Sequence, residues 1–365
     1  MKLRVLHVDT AQTWRGGEAQ VVELAKGLIR RGHDVLVVCP PGSALAEWLR
    51  KGGIPWFPIA MRGEWDIQAA FVLARVLRTW RPDVVHLHTS HAHTLGLLAC
   101  GLGRSKARVV VSRRVLPLHR GRMLGRLKYG DRVGRFIAVS ECIREILLRA
   151  GLSPSKVVTI HSGVDLGKFD GVGPLNGFRD GWSIPQEAIL VGSVAALAPC
   201  KDQHTLLRAA QRVVARIPQA RFLIVGEGEL EGVLRRQRDE LGLCKHVVFT
   251  GFRWDVGAVL RILDVFVLSS YLEGLGTSVL DAMLCSLPVV ATRVGGVPEM
   301  VADGRSGLLV PPRDPEALAD AIGVLLEDKG RRRTFGQEGR RLVEQFDIEK
   351  TVHRTERVYL ELVAE

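Results

Sequence analysis

Along almost all of its 365 residues this chain alternates short apolar, β-branched runs with stretches of helical periodicity, the pattern of parallel strands wrapped by helices. In the first half the pattern predicts strands at Leu3–Val8, Val35–Cys39, Val84–Leu87, Ala107–Val111, Phe136–Val139 and Val157–Ile160, with helices at Glu18–Arg31, Ile67–Trp80, His91–Leu102 and Glu141–Ala150. A glycine-rich, weakly periodic stretch over 162–185 interrupts the rhythm and reads as a linker. The pattern then restarts, with strands expected at Ile189–Val194, Arg221–Val225, His246–Thr250, Val265–Leu268, Pro288–Ala291 and Gly307–Val310. After Pro315 only helices are expected: Pro315–Glu327, Arg331–Gln345 and Ile348–Val363. The fold class is therefore α/β, as two doubly wound, Rossmann-like domains over 1–165 and 166–347, with the last helix, 348–365, crossing back to the first. Ligands of such sheets sit at the carboxyl ends of the strands, so a cleft where the two domains face each other is the expected active site.

Composition narrows the class. Hydrophobic residues make up 47% and charged residues 25%, as in ordinary globular proteins. No apolar run is long enough to span a bilayer and the first residues lack a signal peptide's apolar stretch, so a cytoplasmic protein is expected. The six cysteines are widely scattered, which reads as reduced, mostly buried thiols. The formal net charge is +12, and fourteen Lys or Arg against three Asp or Glu fall between Arg104 and Lys156. Such a stretch is either a set of solvated helices or a surface for an anionic partner.

The segment richest in chemistry is Tyr271-Leu272-Glu273-Gly274-Leu275-Gly276-Thr277-Ser278, between an expected strand and an expected helix. Its glycines allow backbone N–H groups to approach an anion, and the helix N-terminus adds the positive end of its dipole, so a diphosphate could be cradled there. Glu273 before the turn can reach sugar hydroxyls. Asp281, one turn into the helix, either accepts from ribose hydroxyls or closes a capping box with Ser278. Gly226-Glu227-Gly228 follows a strand but lacks the dinucleotide spacing, and no D-x-D, P-loop or H-E-x-x-H pattern occurs, so neither metal nor cofactor is expected.

Glu273 and Asp281, eight residues apart, resemble the glutamate-x7-glutamate motif of retaining GT-B glycosyltransferases, in particular the large family four with its lipopolysaccharide-type transferases, Asp281 replacing the second glutamate. Cys285–Glu299, Asp303–Pro312, Trp14–Glu18 with Gly32–Val35, Val139-Ser140 and Ile160–Asp165 resemble other runs of the same family, in the same order and over nearly the whole chain. The resemblance implies a GT-B fold and a hexosyltransferase-like enzyme that needs no metal and takes a nucleotide diphosphate sugar as donor. It gives Glu273 the donor-sugar hydroxyls, Asp281 the ribose and Lys201 the diphosphate, with Gly274, Leu275, Gly276 and Thr277 forming the phosphate loop. It makes Gly16 and Gly17 a loop that closes over the phosphates.

Two positions depart from the family. Ala196 stands where an arginine is usual, leaving Arg253 or Arg113 as substitute cations. In the first domain Ser112-Arg113-Arg114 replaces a threonine-x-histidine pattern, and Arg114 cannot act as a base because guanidinium stays protonated. Arg113, Arg114 and one of His88, His91 and His93, with His91 foremost, are the acceptor-side candidates. The acceptor class implied is a saccharide or a lipid-linked intermediate of cell-envelope glycan synthesis. The basic segment Arg113–Arg135 adds an expected amphipathic helix over 120–130, with Met123, Leu124 and Leu127 on one face, which either covers the sheet or rests on an anionic membrane. The alternatives are a nucleotide-sugar epimerase of the same architecture and a non-catalytic polyanion binder. A nucleic-acid partner is not expected, since no aromatic residues interleave with the arginines.

Overall fold

The computed structural model describes residues 1–114, 128–175 and 177–365. The helix expected over 120–130, with Arg122, Arg126, Met123, Leu124 and Leu127, lies largely outside the described residues. The chain forms two compact units, Met1–Asp165 with Ile348–Glu365, and Leu166–Asp347.

Unit 1 holds seven parallel strands: β1 (Arg4–Val8), β2 (Asp34–Cys39), β3 (Trp56–Pro58), β4 (Val84–Leu87), β5 (Arg108–Arg113), β6 (Val133–Ala138) and β7 (Val157–Thr159), in the order β3-β2-β1-β4-β5-β6-β7. Unit 2 holds six: β8 (Ile189–Val194), β9 (Ala220–Val225), β10 (Val247–Gly251), β11 (Val265–Leu268), β12 (Val289–Thr292) and β13 (Gly307–Val310), ordered β10-β9-β8-β11-β12-β13. Val, Ile and Leu fill both faces of these strands, as a sheet covered by helices on each side requires. In each sheet the strand order reverses once, between β1 and β4 and between β8 and β11. Loops leaving two such neighbours diverge to opposite faces and open a crevice at the strands' carboxyl ends.

The carboxy-terminal helix Ile348–Ala364 belongs to unit 1, where Ile348, Val352, Val358, Tyr359 and Leu362 join the core beside Leu3, Leu28 and Val37. Glu356 on this helix accepts from Arg31 Nε at 2.6 Å and pairs with His33 Nε2 at 2.8 Å.

Several expectations change. The stretch read as a linker contributes core to unit 2: Phe169, Phe178 and Ile184 are buried, and Arg261 donates to the Phe169 carbonyl at 2.9 Å. A short helix, Ala44–Lys51, capped by Ser43, and the edge strand β3 are additional to the expected elements. Of the cysteines only Cys39 and Cys100 are buried; all six are free thiols and Cys244 is exposed.

Candidate active site

In unit 2 the crevice lies between the loop after β8 and the loop after β11. From β8 the chain runs through Ala195–Ala198 into a single 3-10 turn, Pro199–Lys201, and Asp202 then caps the helix Gln203–Arg216. That turn is tied to the other loop, because Ser269 Oγ donates to the Lys201 carbonyl at 2.9 Å and Tyr271 N to the Cys200 carbonyl at 3.0 Å. The side chains then meet: Lys201 Nζ stands 2.5 Å from Glu273 Oε1, which also accepts from Ser270 Oγ at 2.7 Å. Glu273 is buried and Lys201 partly exposed.

Behind Glu273 the backbone is clamped. Gly295 has φ +52°, and a Cβ there would stand 1.9 Å from the Glu273 carbonyl oxygen, so only glycine fits this approach. Gly296 N donates to the Gly274 carbonyl at 3.1 Å, and Thr292 Oγ1 donates to the Ser270 carbonyl. Gly276, at φ +93°, turns the chain into the helix Thr277–Leu284, which no side chain caps. First-turn N–H groups of an uncapped helix suit an anion.

The capping box expected from Ser278 and Asp281 does not form. Ser278 is inside the helix, whose cap position is Gly276, and Asp281 Oδ1 instead accepts from Lys168 Nζ at 2.7 Å. Burial pushes the Asp281 carboxyl above its ordinary value, with Lys168 opposing the shift. Arg253 is not an uncommitted cation: its fork pairs with Asp255 at 2.7 and 2.5 Å and its guanidinium lies over Phe178. The carbonyl of Ala196 accepts from Gln203 Nε2 at 2.9 Å.

In unit 1 the corresponding crevice is lined by β1, β4 and β5. Gly16 and Gly17 are not a loop but the first turn of the helix Gly16–Arg30, where Glu18 Oε2 accepts from Arg15 N at 2.7 Å. Arg114 lies close to Gly17, its Nη1 3.7 Å from where a Cβ would stand. Beneath it are His7, His86 and His88, all buried. Arg114 Nη2 is 3.5 Å from His88 Nδ1, His88 Nε2 is 2.9 Å from His7 Nδ1, and His86 bonds Tyr359 Oη at 2.5 Å and Ser112 Oγ at 2.8 Å. Guanidinium only donates, so His88 Nδ1 accepts, His88 Nε2–H donates to His7, and His7 carries its own proton on Nε2.

The three rings are close enough to suggest a metal site, with ligand atoms within 4.8 Å of one another. However, the lone pairs of His88 and His7 are spent on Arg114 and His88, and the nearest charge is a cation. Arg114, His88 and His7 form a hydrogen-bonded chain, and His86 is held separately by Tyr359 and Ser112. Burial, then the charge of Arg114, pushes His7 down to about 3. Burial also raises two nearby carboxyls, Asp9 and Glu18, the latter to about 7 with Asp9 adding to the shift.

Arg113 engages different partners, donating to Tyr129 Oη at 2.7 Å and facing His93 Nδ1 at 3.1 Å. His88 and His93 are therefore interior groups, whereas His91 is exposed on the first turn of the helix Ser90–Leu102. Residues not singled out from sequence also shape these sites: Ser270, Lys168 and Asp9. Their roles come from contacts between distant segments, for which sequence spacing carries no signal.

The sequence pattern described as Glycosyl transferases group 1 matches residues 177–342, and that described as Glycosyltransferase Family 4 matches residues 14–168. The chain is 30% identical over 299 residues to EpsD of Bacillus subtilis, named as a glycosyltransferase, covering 79% of this chain and 78% of that one. It is 24% identical over 378 residues to UDP-Gal:alpha-D-GlcNAc-diphosphoundecaprenol alpha-1,3-galactosyltransferase of Escherichia coli, over 99% and 98% of the two chains. The crystal structure of Anabaena HepE in complex with UDP and glucose matches with a TM-score of 0.86 at 23% identity, over 97% of this chain and 98% of that one. At that identity the likeness speaks to the fold, which is GT-B with two Rossmann-like domains.

Proposed function

The chain belongs to the group 1, family four glycosyltransferases, and from that premise we propose a retaining, metal-independent enzyme that moves a sugar from a nucleotide diphosphate sugar to a lipid-linked or saccharide acceptor in cell-envelope glycan synthesis. The observation that carries the reading is the Lys201–Glu273 pair beside the uncapped start of the helix Thr277–Leu284. Lysine has three donor hydrogens, so Lys201 can hold Glu273 and a diphosphate oxygen together. The helix N–H groups share the anion. Glu273 then accepts from donor-sugar hydroxyls, and Asp281 offers ribose the oxygen that Lys168 leaves.

Unit 2 would thus bind the donor and unit 1 the acceptor. In unit 1 Arg113 and Arg114 act by positioning, and the exposed His91 is the group available to an acceptor. Rate enhancement comes from orientation and from stabilising charge that develops on the leaving diphosphate. As the donor's C1–O bond breaks and the acceptor oxygen bonds C1 on the same face, the departing phosphate oxygen takes the acceptor's proton, which preserves configuration without a protein nucleophile. The E. coli relative's name gives a UDP-sugar donor and a diphosphoundecaprenol-linked acceptor, which supports a lipid-linked acceptor at the inner face of the cytoplasmic membrane.

A thermal-shift panel of nucleotide sugars tests donor binding, because a ligand at ~100 times its Kd adds about 2.7 kcal/mol of stability. Product analysis by NMR then reads the anomeric centre. An α-linked donor should give an α-linked product, and a β product overturns retention.

A further inference from the structure

The helix Ile67–Trp80 turns Ala69, Ala70, Leu73, Ala74, Val76 and Leu77 into unit 1, and a surface helix ordinarily carries polar residues on its other face. Along the first two turns Gln68 is the one exposed polar residue, set beside three exposed apolar ones. Ile67 is 64% exposed, Phe71 55% and Val72 39%, and Trp65, just ahead of the helix, is 53% exposed. Ile67 and Phe71, four residues apart, stand on one face, and Arg75 and Arg78 continue that face, both exposed. Arg62, also exposed, precedes Trp65.

The two acids of the segment are engaged in holding it. Asp66 accepts from Ala69 N at 2.9 Å and from Arg62 N at 3.0 Å, and Glu64 accepts from Lys128 Nζ at 2.8 Å and Ser90 Oγ at 3.1 Å. What faces outward is an apolar tip bordered by cations. Four half-exposed side chains offer on the order of 300 Å², well below the roughly 800 Å² per partner of a stable protein interface. Tryptophan at the border of aliphatic and cationic groups is instead the composition that enters a lipid headgroup layer.

We propose that this surface of unit 1 docks on an anionic lipid bilayer, Trp65, Ile67 and Phe71 entering the headgroup boundary while Arg62, Arg75 and Arg78 meet lipid phosphates. Each cation near such a surface strengthens partition roughly fivefold, so three suffice for reversible attachment. The inference deepens the reading of a membrane-borne acceptor and rests on it, but its test involves no transfer.

Full-length protein is sedimented with vesicles of phosphatidylcholine alone and of phosphatidylcholine mixed with phosphatidylglycerol. Binding to the mixed vesicles only, with a blue shift of tryptophan emission that Trp65→Phe removes, is expected. Ile67→Ser with Phe71→Ser should weaken binding at least ~tenfold, and Arg75→Glu with Arg78→Glu likewise. These side chains are exposed, so the melting temperature should stay put. Equal binding to both vesicles, a blue shift retained in Trp65→Phe, binding indifferent to the serine variants, or a solution dimer that the serine variants dissolve would each overturn the proposal. A donor-induced thermal shift in the same samples reports separately on the transferase reading, whichever way the vesicles come out.

Discussion

Lys201 and Glu273, 72 residues apart in sequence, meet as an ion pair of 2.5 Å between the two loops at which the strand order of unit 2 reverses. The pair is partly buried, with side-chain exposures of 24% and 7%. A pair so placed contributes little net stability, yet losing one partner strands the other in a poorly solvated place.

Lys201→Ala and Glu273→Gln should therefore each cost about 1–3 kcal/mol of stability and lower kcat at saturating donor at least ~tenfold. The double variant should recover part of the stability and none of the activity. Denaturant melts and initial rates on the four proteins check this, and an unchanged kcat in Lys201→Ala removes the lysine from the mechanism.

Gly295→Ala should act on the same carboxylate from behind. Its Cβ would lie 1.9 Å from the Glu273 carbonyl oxygen at a φ of +52°, so the loop carrying Glu273 must move. We expect about 1–3 kcal/mol of lost stability and a kcat lowered ~tenfold or more. A variant with normal turnover would show that Glu273 tolerates displacement.

Most of the parallel strands are legible as short, mainly apolar and β-branched runs, and Lys201 and Glu273 stand out because their neighbours form recognisable motifs. What escaped was either short or tertiary. Trp56–Pro58 is a three-residue edge strand ending in proline, with no room for a period to show. Ser278 and Asp281 have the spacing of a capping box, but Gly276 begins the helix and Lys168, 113 residues away, claims the carboxylate. His7 and His86 lie among apolar strand residues, and only the pairing of β1 with β4 sets them side by side.

Asp281→Asn should leave stability within about 1 kcal/mol, since the carboxyl caps nothing and Lys168, 42% exposed, can turn to water. Donor affinity should fall severalfold if the second oxygen holds ribose. Calorimetric titration with a nucleoside diphosphate measures it, and an effect confined to the melting temperature would falsify the ribose role.

Activity should survive excess chelator. On the proposed reading, Lys201 and the helix N–H groups would supply the positive charge that a divalent ion would otherwise bring to the diphosphate. Loss of activity with chelator and rescue by magnesium or manganese would contradict the metal-free reading.

Glu18 gives unit 1 a pH dependence of its own. Its carboxyl is buried and raised to about 7, first by desolvation and then by Asp9. Unfolded, it would ionise near 4.5. Between those values the folded chain holds a proton that the unfolded chain has released, so this group's contribution to stability is intact below about 4.5 and is lost as pH rises to about 7. Glutamine keeps an oxygen that can accept from Arg15 N but carries no charge at any pH. Glu18→Gln should therefore gain stability relative to the parent as pH rises, by on the order of 2 kcal/mol between pH 5 and pH 8. Urea melts at the two pH values measure the difference. A constant offset would mean that Glu18 is ionised across this range and that Arg114 offsets the effect of burial.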